Sequence, residues 1–413
     1  MSASRRKGPL LRAPFIAALA GIATLAAVTP AAIADSGLDR VLGRALFERL
    51  WVPAPASTDA ADGLGPLFNA RACTGCHSGG GGARFGSRPD GTLEARGLVL
   101  RFGTDDGGGD PVYGRQLQDQ AVPGLAAEGR LRLAPESGGG LTVVPELHRG
   151  PLSEGTRWSL RAAPSLRGIG DRERVAEAAI LALADPEDLD GDGISGRPRM
   201  VATPDGPRVG RFGWKGEGAT LSGQVAEAFA LDLGLSSPAA PHPHGDCTPD
   251  EPDCLAAPTG ESALLGGHEI SAEIVDLVAE FLRGLDAPSR SGADPAGAKL
   301  FARAGCAACH VPELPDGSGR AVRIFTDFLL HDMGDRLDDG MAEGGAATSE
   351  WRTPSLAGLA AKDGSRRYLH DASAASVEAA ILAHAGEGGR ARDLFLSMEA
   401  ADRAALLAYL ESL

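Results

Sequence analysis

The sequence predicts a mainly α-helical chain divided into two domains, the first enlarged by long loop-rich insertions and a few short strands. Length, an internal repeat and paired amphipathic helices predict it. At 413 residues the chain exceeds what one hydrophobic core usually serves. Leu67-Phe68, four residues, then Cys73-x-x-Cys76-His77 recurs as Leu300-Phe301, four residues, then Cys306-x-x-Cys309-His310. A Trp and a Pro-Ser-Leu-x-Gly run follow each motif, at Trp158 with Pro164 and at Trp351 with Pro354. Val275, Val278, Phe281, Leu282 and Leu285 lie at helical spacing, and Leu406, Tyr409, Leu410 and Leu413 repeat the stripe, so each half closes on an amphipathic helix.

Taken in order, residues 1–34 have the form of an export signal. Arg5, Arg6, Lys7 and Arg12 precede an apolar run over residues 15–28, and Ala32-Ile33-Ala34 offers a small-residue cleavage site. The expected location is the periplasm; an uncleaved anchor, the alternative, would tie the chain to the membrane. Residues 35–287 form the expected first domain and 288–413 the second, with Ala287-Pro288-Ser289-Arg290-Ser291-Gly292 as the linker. Glycine is abundant at 57 residues and proline at 28, which predicts long turn-rich connections; short strands are expected over residues 97–102 and 141–144. The net charge of −15 becomes −19 without the four basic residues of the signal, which argues against a nucleic-acid partner.

Cys-x-x-Cys-His is the attachment sequence of c-type haem: two thiols bond the two vinyl groups of one porphyrin, and the adjacent His reaches the iron. Cys73, Cys76, Cys306 and Cys309 are therefore the expected attachment points for two haems c, and His77 and His310 the proximal ligands. A zinc site or a redox dithiol is the competing reading of two Cys-x-x-Cys pairs, but neither requires a His after both. Cys247 and Cys254, seven apart and without a His, read as a structural disulfide.

Around these motifs the chain resembles the di-haem oxidoreductases related to the bacterial di-haem cytochrome c peroxidases, some of which carry a thiol-oxidoreductase label. The resemblance rests on both Cys-x-x-Cys-His motifs, Trp158 to Ile169, Asp185 to Pro198, Gly210 to Lys215, Phe325 to Gly334, and Tyr368 to Asp371. It implies two cytochrome c-like domains, one haem passing electrons from a redox protein donor and the other reacting with hydrogen peroxide or another small oxidant. That division needs one iron closed by a second side chain and one left open. For the C-terminal haem, family position favours His384, on an expected helix over residues 377–385; Met333 is the second choice, with His331 and His370 as further candidates. No His or Met lies between His77 and His148, so the N-terminal iron is expected to be open.

Peroxide cleavage also needs a group that moves a proton, and family position points to Glu173, with Glu177 one turn later; a solvated helix face is the competing reading of both. Trp214 matches an aromatic position of the family and is expected as an electron relay, against plain packing. Asp188-x-Asp190-x-Asp192-Gly193 has the carboxylate spacing of a calcium loop, although Arg199 stands where the twelfth-position Glu belongs, so Ca²⁺ competes with an acidic turn. The leading functional reading is a peroxide-reducing enzyme; the runner-up is a di-haem electron carrier without catalysis. Oxidation of a protein substrate, as in a relative that matures a tryptophan-derived cofactor, is disfavoured because that relative's distal Tyr has no counterpart.

Overall fold

A computed structural model describes residues 36–57, 61–89, 92–135, 141–287, 294–359 and 366–413. The expected signal segment and residues 288–292 of the expected linker lie outside the described residues. Ser36–Leu413 clusters as one compact unit. Among the described residues no helix is long and apolar enough to cross a membrane.

The helices used below are α1 (Ser36–Glu48), α2 (Ile169–Arg174), α3 (Glu177–Leu181), α4 (Leu221–Leu233), α5 (Ala272–Arg283), α6 (Pro295–Arg303), α7 (Val377–Ala383) and α8 (Ala400–Leu410). Their starts are encoded locally. Thr220, Ser271, Asp294 and Ser376 each accept a backbone N–H of the first turn of α4, α5, α6 and α7, and Pro295 supplies a preset φ at the first position of α6. Both expected closing helices form: α5 buries Val275, Val278, Ala279 and Leu282, and α8 buries Leu406, Tyr409 and Leu410.

The expectation of a mainly α chain with two cytochrome c-like domains is corrected by the structure. Helix accounts for 29% and strand for 20% of the described residues, and two cytochrome c domains are not shown. Among the described residues the strands form seven two-stranded antiparallel sheets, each a local ribbon. The main ones are β1 (Leu98–Gly103) with β4 (Arg157–Ala162), β2 (Gly129–Pro135) with β3 (Leu141–Leu147), and β5 (Leu330–Asp332) with β6 (Glu350–Arg352). β1 and β3 cover the two strands expected from sequence. The excess strand comes from β2 and β4, the partners of the two expected strands, and from connections that fold back on themselves in pieces of two to four residues, too short for a period-two pattern to register.

Two helical cores flank the ribbons. In one, α1, α4 and α5 bury Phe47, Trp51, Phe229, Val278 and Leu282; in the other, α6 and α8 bury Leu300, Phe301, Leu406 and Tyr409 around Phe325 and Phe395. Both rest on the same device, a glycine where two helices cross and a Phe one turn on. A Cβ on Gly43 of α1 would run into the Leu277 carbonyl of α5, and one on Gly297 of α6 would run into Tyr409 of α8. Four residues further, Phe47 meets Phe281 with ring centroids 5.2 Å apart, and Phe301 meets Tyr409 at 5.8 Å.

This packing sets a stability test. Gly43→Val and Gly297→Val are each expected to cost about 3 kcal/mol in denaturant unfolding, the upper range for overpacking a tight contact. Gly317→Ala, whose Cβ would meet nothing within 4 Å, should stay within about 0.5 kcal/mol of the parent. Equal, small effects at all three positions would show that the crossings are not the tight points of the fold.

Candidate functional site

Each Cys-x-x-Cys-His segment is one tight 3₁₀ turn, Cys73–Gly75 or Cys306–Ala308, closed by the His amide on the first Cys carbonyl at 2.8 Å for His77 and 2.9 Å for His310. The turn places two thiols and an imidazole on one side. All six side chains line a single cavity of about 1770 Å³, beyond the ~300–1,000 Å³ of an ordinary small-molecule pocket. His77 Nδ1 lies 3.1 Å from the Gly81 carbonyl and His310 Nδ1 lies 3.2 Å from that of Phe325. A carbonyl on Nδ1 that leaves Nε2 to a ligand is the usual arrangement of a metal-bound imidazole; His77 also has the Pro164 carbonyl as a second backbone partner. Burial lowers the pKa of both rings; for His310, burial and the neighbouring His384 bring it to about 4, which keeps the ring in its neutral form.

The donor set can be tested against the alternatives. All four motif cysteines are free thiols, whereas Cys247 and Cys254 are bonded to each other, as their spacing suggested. Burial, helped by Asp232, pushes the Cys73 thiol up to about 12, and burial pushes Cys306 up to about 11, the opposite of a reactive dithiol. Among the described residues, the groups able to gather round a metal are Cys309 with Asp327 and His331, and Asp185 with Asp188 and Asp190; the two cysteine pairs do not converge on one zinc site.

The cavity wall also holds a cation in want of an anion. Arg172 is 7% exposed, its Nε is sealed without an acceptor, and burial together with the neighbouring Arg352 lowers its pKa to about 9. Arg352 donates from Nε to Gly213 at 3.0 Å and from Nη1 to Thr353 at 2.8 Å, both backbone carbonyls, and feels the carboxylates Glu217 and Asp327. Both arginines line the cavity. A haem carries two propionate carboxylates, so thiol pairs, pinned imidazoles and an unmatched guanidinium group together fit haem.

The candidate ligands of the C-terminal motif are also sorted by their contacts. His384 caps the end of α7, its Nδ1 2.8 Å from the Ala380 carbonyl and its Nε2 uncommitted, and it lines the cavity close enough for its charge to act on His310. Met333 lines the same wall; a Cβ on Gly388 would meet Met333 Cε at 2.9 Å and His384 Cδ2 at 3.0 Å. His331 is occupied on both nitrogens, by Glu387 at 2.6 Å and Asp327 at 2.9 Å. Burial opposes its charge, but the bonds to Asp327, Cys309 and Glu387 prevail and raise its pKa to about 12. His370 is stacked on Trp351 with centroids 3.7 Å apart, and Trp214 stands edge-on to it at 6.4 Å. Trp214 lines the cavity and donates its indole N–H to Ala162 at 2.8 Å, while Arg161 and Lys215 lie over the Trp351 ring.

Glu173 and Glu177 are not brought to this cavity. Glu173 accepts from the Leu221 amide at 2.9 Å and from Arg283 at 2.7 Å, and these bonds outweigh burial and keep it ionised. Glu177 pairs with Arg208 at 2.7 Å and with Arg211 at 3.7 Å. The charged side chain of α2 that does reach the cavity is Arg172, one residue earlier. In the acidic loop, oxygens of Asp185, Asp188 and Asp190 lie within 4.8 Å of one another, and Asp192 is outside that group. Sequence reading missed Arg172, Arg352 and the cavity carboxylates Glu217 and Glu343, none of which carries a motif of its own.

If Arg172 serves an anion that the haem supplies, its removal should have opposite effects with and without haem. Arg172→Leu is expected to stabilise the haem-free chain by about 1–3 kcal/mol, the cost of one buried unmatched group, and to destabilise the haem-loaded chain. Denaturant unfolding of both forms measures this, and destabilisation of the haem-free form would sink the assignment.

Residues 146–413 match the family described as "Di-haem oxidoreductase, putative peroxidase". No curated protein and no solved structure matches the chain. The match spans more than half of the sequence and contains the second Cys-x-x-Cys-His motif, the Trp214 segment and both candidate closing ligands, and the chain belongs to this di-haem oxidoreductase family.

Proposed function

We propose that the protein is an exported c-type cytochrome that carries two covalently bound haems and reduces hydrogen peroxide at the one held by His77, with electrons from a redox protein entering at the one held by His310. The observation that carries the reading is an asymmetry within one cavity: both motif histidines open onto it, but only His310 has a second, uncommitted imidazole nearby, that of His384. When bound, an iron closed on both faces passes electrons and an open one can react with peroxide.

The chain's own side chains divide the remaining work. His77 and His310 present Nε2 while Gly81 and Phe325 hold Nδ1, which fixes the ring orientations. Arg172 and Arg352 are the anchors for propionates. Trp214, His370 and Trp351 form a continuous aromatic contact on the wall common to both motifs and are the relay in this reading. A Ca²⁺ ion at Asp185, Asp188 and Asp190 would neutralise that acidic loop. Export to the periplasm follows from the residues 1–34 pattern.

Electron paramagnetic resonance of the resting haem-loaded protein is expected to give one high-spin and one low-spin iron, with added peroxide changing the high-spin signal. Two low-spin signals inert to peroxide would identify an electron carrier instead. His384→Ala should convert the low-spin signal to high-spin while Met333→Ala leaves it unchanged; the reverse outcome reassigns the sixth ligand to Met333.

A further inference from the structure

Glu217 and Glu343, 126 positions apart, meet in the cavity wall. Glu217 Oε1 accepts the Lys215 amide at 3.1 Å, but Oε2 is sealed from solvent with no donor. Gly213, at φ +78°, makes room for it, since a Cβ there would run into Oε2. The neighbouring carboxylate is Glu343, held by Arg101 Nη2 at 3.1 Å and by Arg161 Nη2 at 3.5 Å. A sealed carboxylate oxygen without a donor beside a second carboxylate is costly, and one proton between them removes both the orphan and the like-charge repulsion.

We propose that Glu217 and Glu343 share one proton and deliver it to the substrate in this cavity, the role that family position gave to Glu173. Electrostatics run the same way. Burial and the charge of Glu343 raise the pKa of Glu217; burial opposes the ionisation of Glu343, but Arg101, Arg161, Arg199 and a hydrogen bond from Glu217 keep it low. The other charges around the pair are Arg352, acting on Glu217, and Lys215, whose ammonium is bound to the carbonyls of Met341, Ala347 and Thr348 and lies 3.6 Å from Asp339. Asp339 in turn pairs with Arg161 at 2.8 Å. Basic groups on strands, turn and loop thus surround the pair, ready to hold its second negative charge once the proton has left.

The inference rests on the peroxide reading given above. Reducing one hydrogen peroxide breaks its O–O bond and consumes two electrons and two protons to give two waters. The electrons come singly from the redox protein donor. Glu217 gives one proton and becomes a carboxylate beside Glu343; the second proton, and later the one that refills the pair, come from the bulk solution by way of water.

In the haem-loaded full chain near pH 7, where exposed carboxylates are ionised, infrared spectra should show, besides the band of Glu128, whose carboxyl burial pushes up to about 10, a second carboxylic-acid C=O band that shifts in D₂O. Glu217→Gln should abolish it, Glu343→Gln should shift or abolish it, and both should leave haem content and spin state unchanged. Stopped-flow consumption of hydrogen peroxide should slow by about 10²-fold or more in each. No second band in the parent, or the same second band in both variants, overturns the shared proton. Peroxide turnover at the parental rate in both variants overturns the delivery role alone. A parent inert to peroxide overturns the proposed function and the delivery role with it, so the two failures are distinguishable.

Discussion

A cavity of about 1770 Å³ within one packed unit is the constraint on which the rest of the structure depends. Protein interiors are close-packed, and a void of that size forfeits the dispersion contacts of every atom that lines it. The chain must therefore hold its walls apart with cores that stand without the cavity's contents. The two glycine crossings do this: at α1 with α5, and at α6 with α8, backbones approach closely enough for an aromatic pair to lock each crossing. The motif turns then hang from these cores, since Phe47 and Phe301 belong both to a core and to the cavity lining.

Charge is distributed against the grain of the composition. The sequence carries a net −15, yet Arg101, Arg161, Arg172 and Arg352 all face the cavity. Such cations survive burial only when matched, and the matching here is incomplete by design of the neighbours: Glu343 answers Arg101 and Arg161, whereas the charge acting on Arg172 is another arginine. A buried guanidinium left unmatched on the wall suits contents that bring negative charge to that point.

How much of this was legible in the sequence depends on the range over which each feature is encoded. The Cys247–Cys254 disulfide is written within a few residues and formed as read. The closing helices were legible because an apolar stripe persists along them. Of the ribbons, the strands expected over residues 97–102 and 141–144 are found in β1 and β3, but their partners were not read: Arg130-Leu131-Arg132-Leu133 in β2 alternates with the period of a strand, a signal outweighed by the surrounding glycines. At α2 the family position led to Glu173, but a helix turns about 100° per residue, and that single step puts Arg172 into the cavity and Glu173 onto Arg283. Glu217 and Glu343 could not have been paired from sequence, because nothing local marks either one.

The two Cys-x-x-Cys-His motifs are nearly identical as local structure, so any functional difference must come from what faces them. In the C-terminal half the candidates thin out by commitment. His331 is spent on two carboxylates and His370 is held between two tryptophans, which leaves His384 and Met333 side by side around Gly388. Glu387, which fixes His331, also accepts from Ser195 and the Asp332 amide, so one carboxylate ties the Asp185 to Pro198 segment and β5 to the turn after α7 that bears His384. Cutting that tie would leave Asp327 as the carboxylate holding His331 and would loosen the turn that bears His384, so one carboxylate bears on two of the candidate ligands at once.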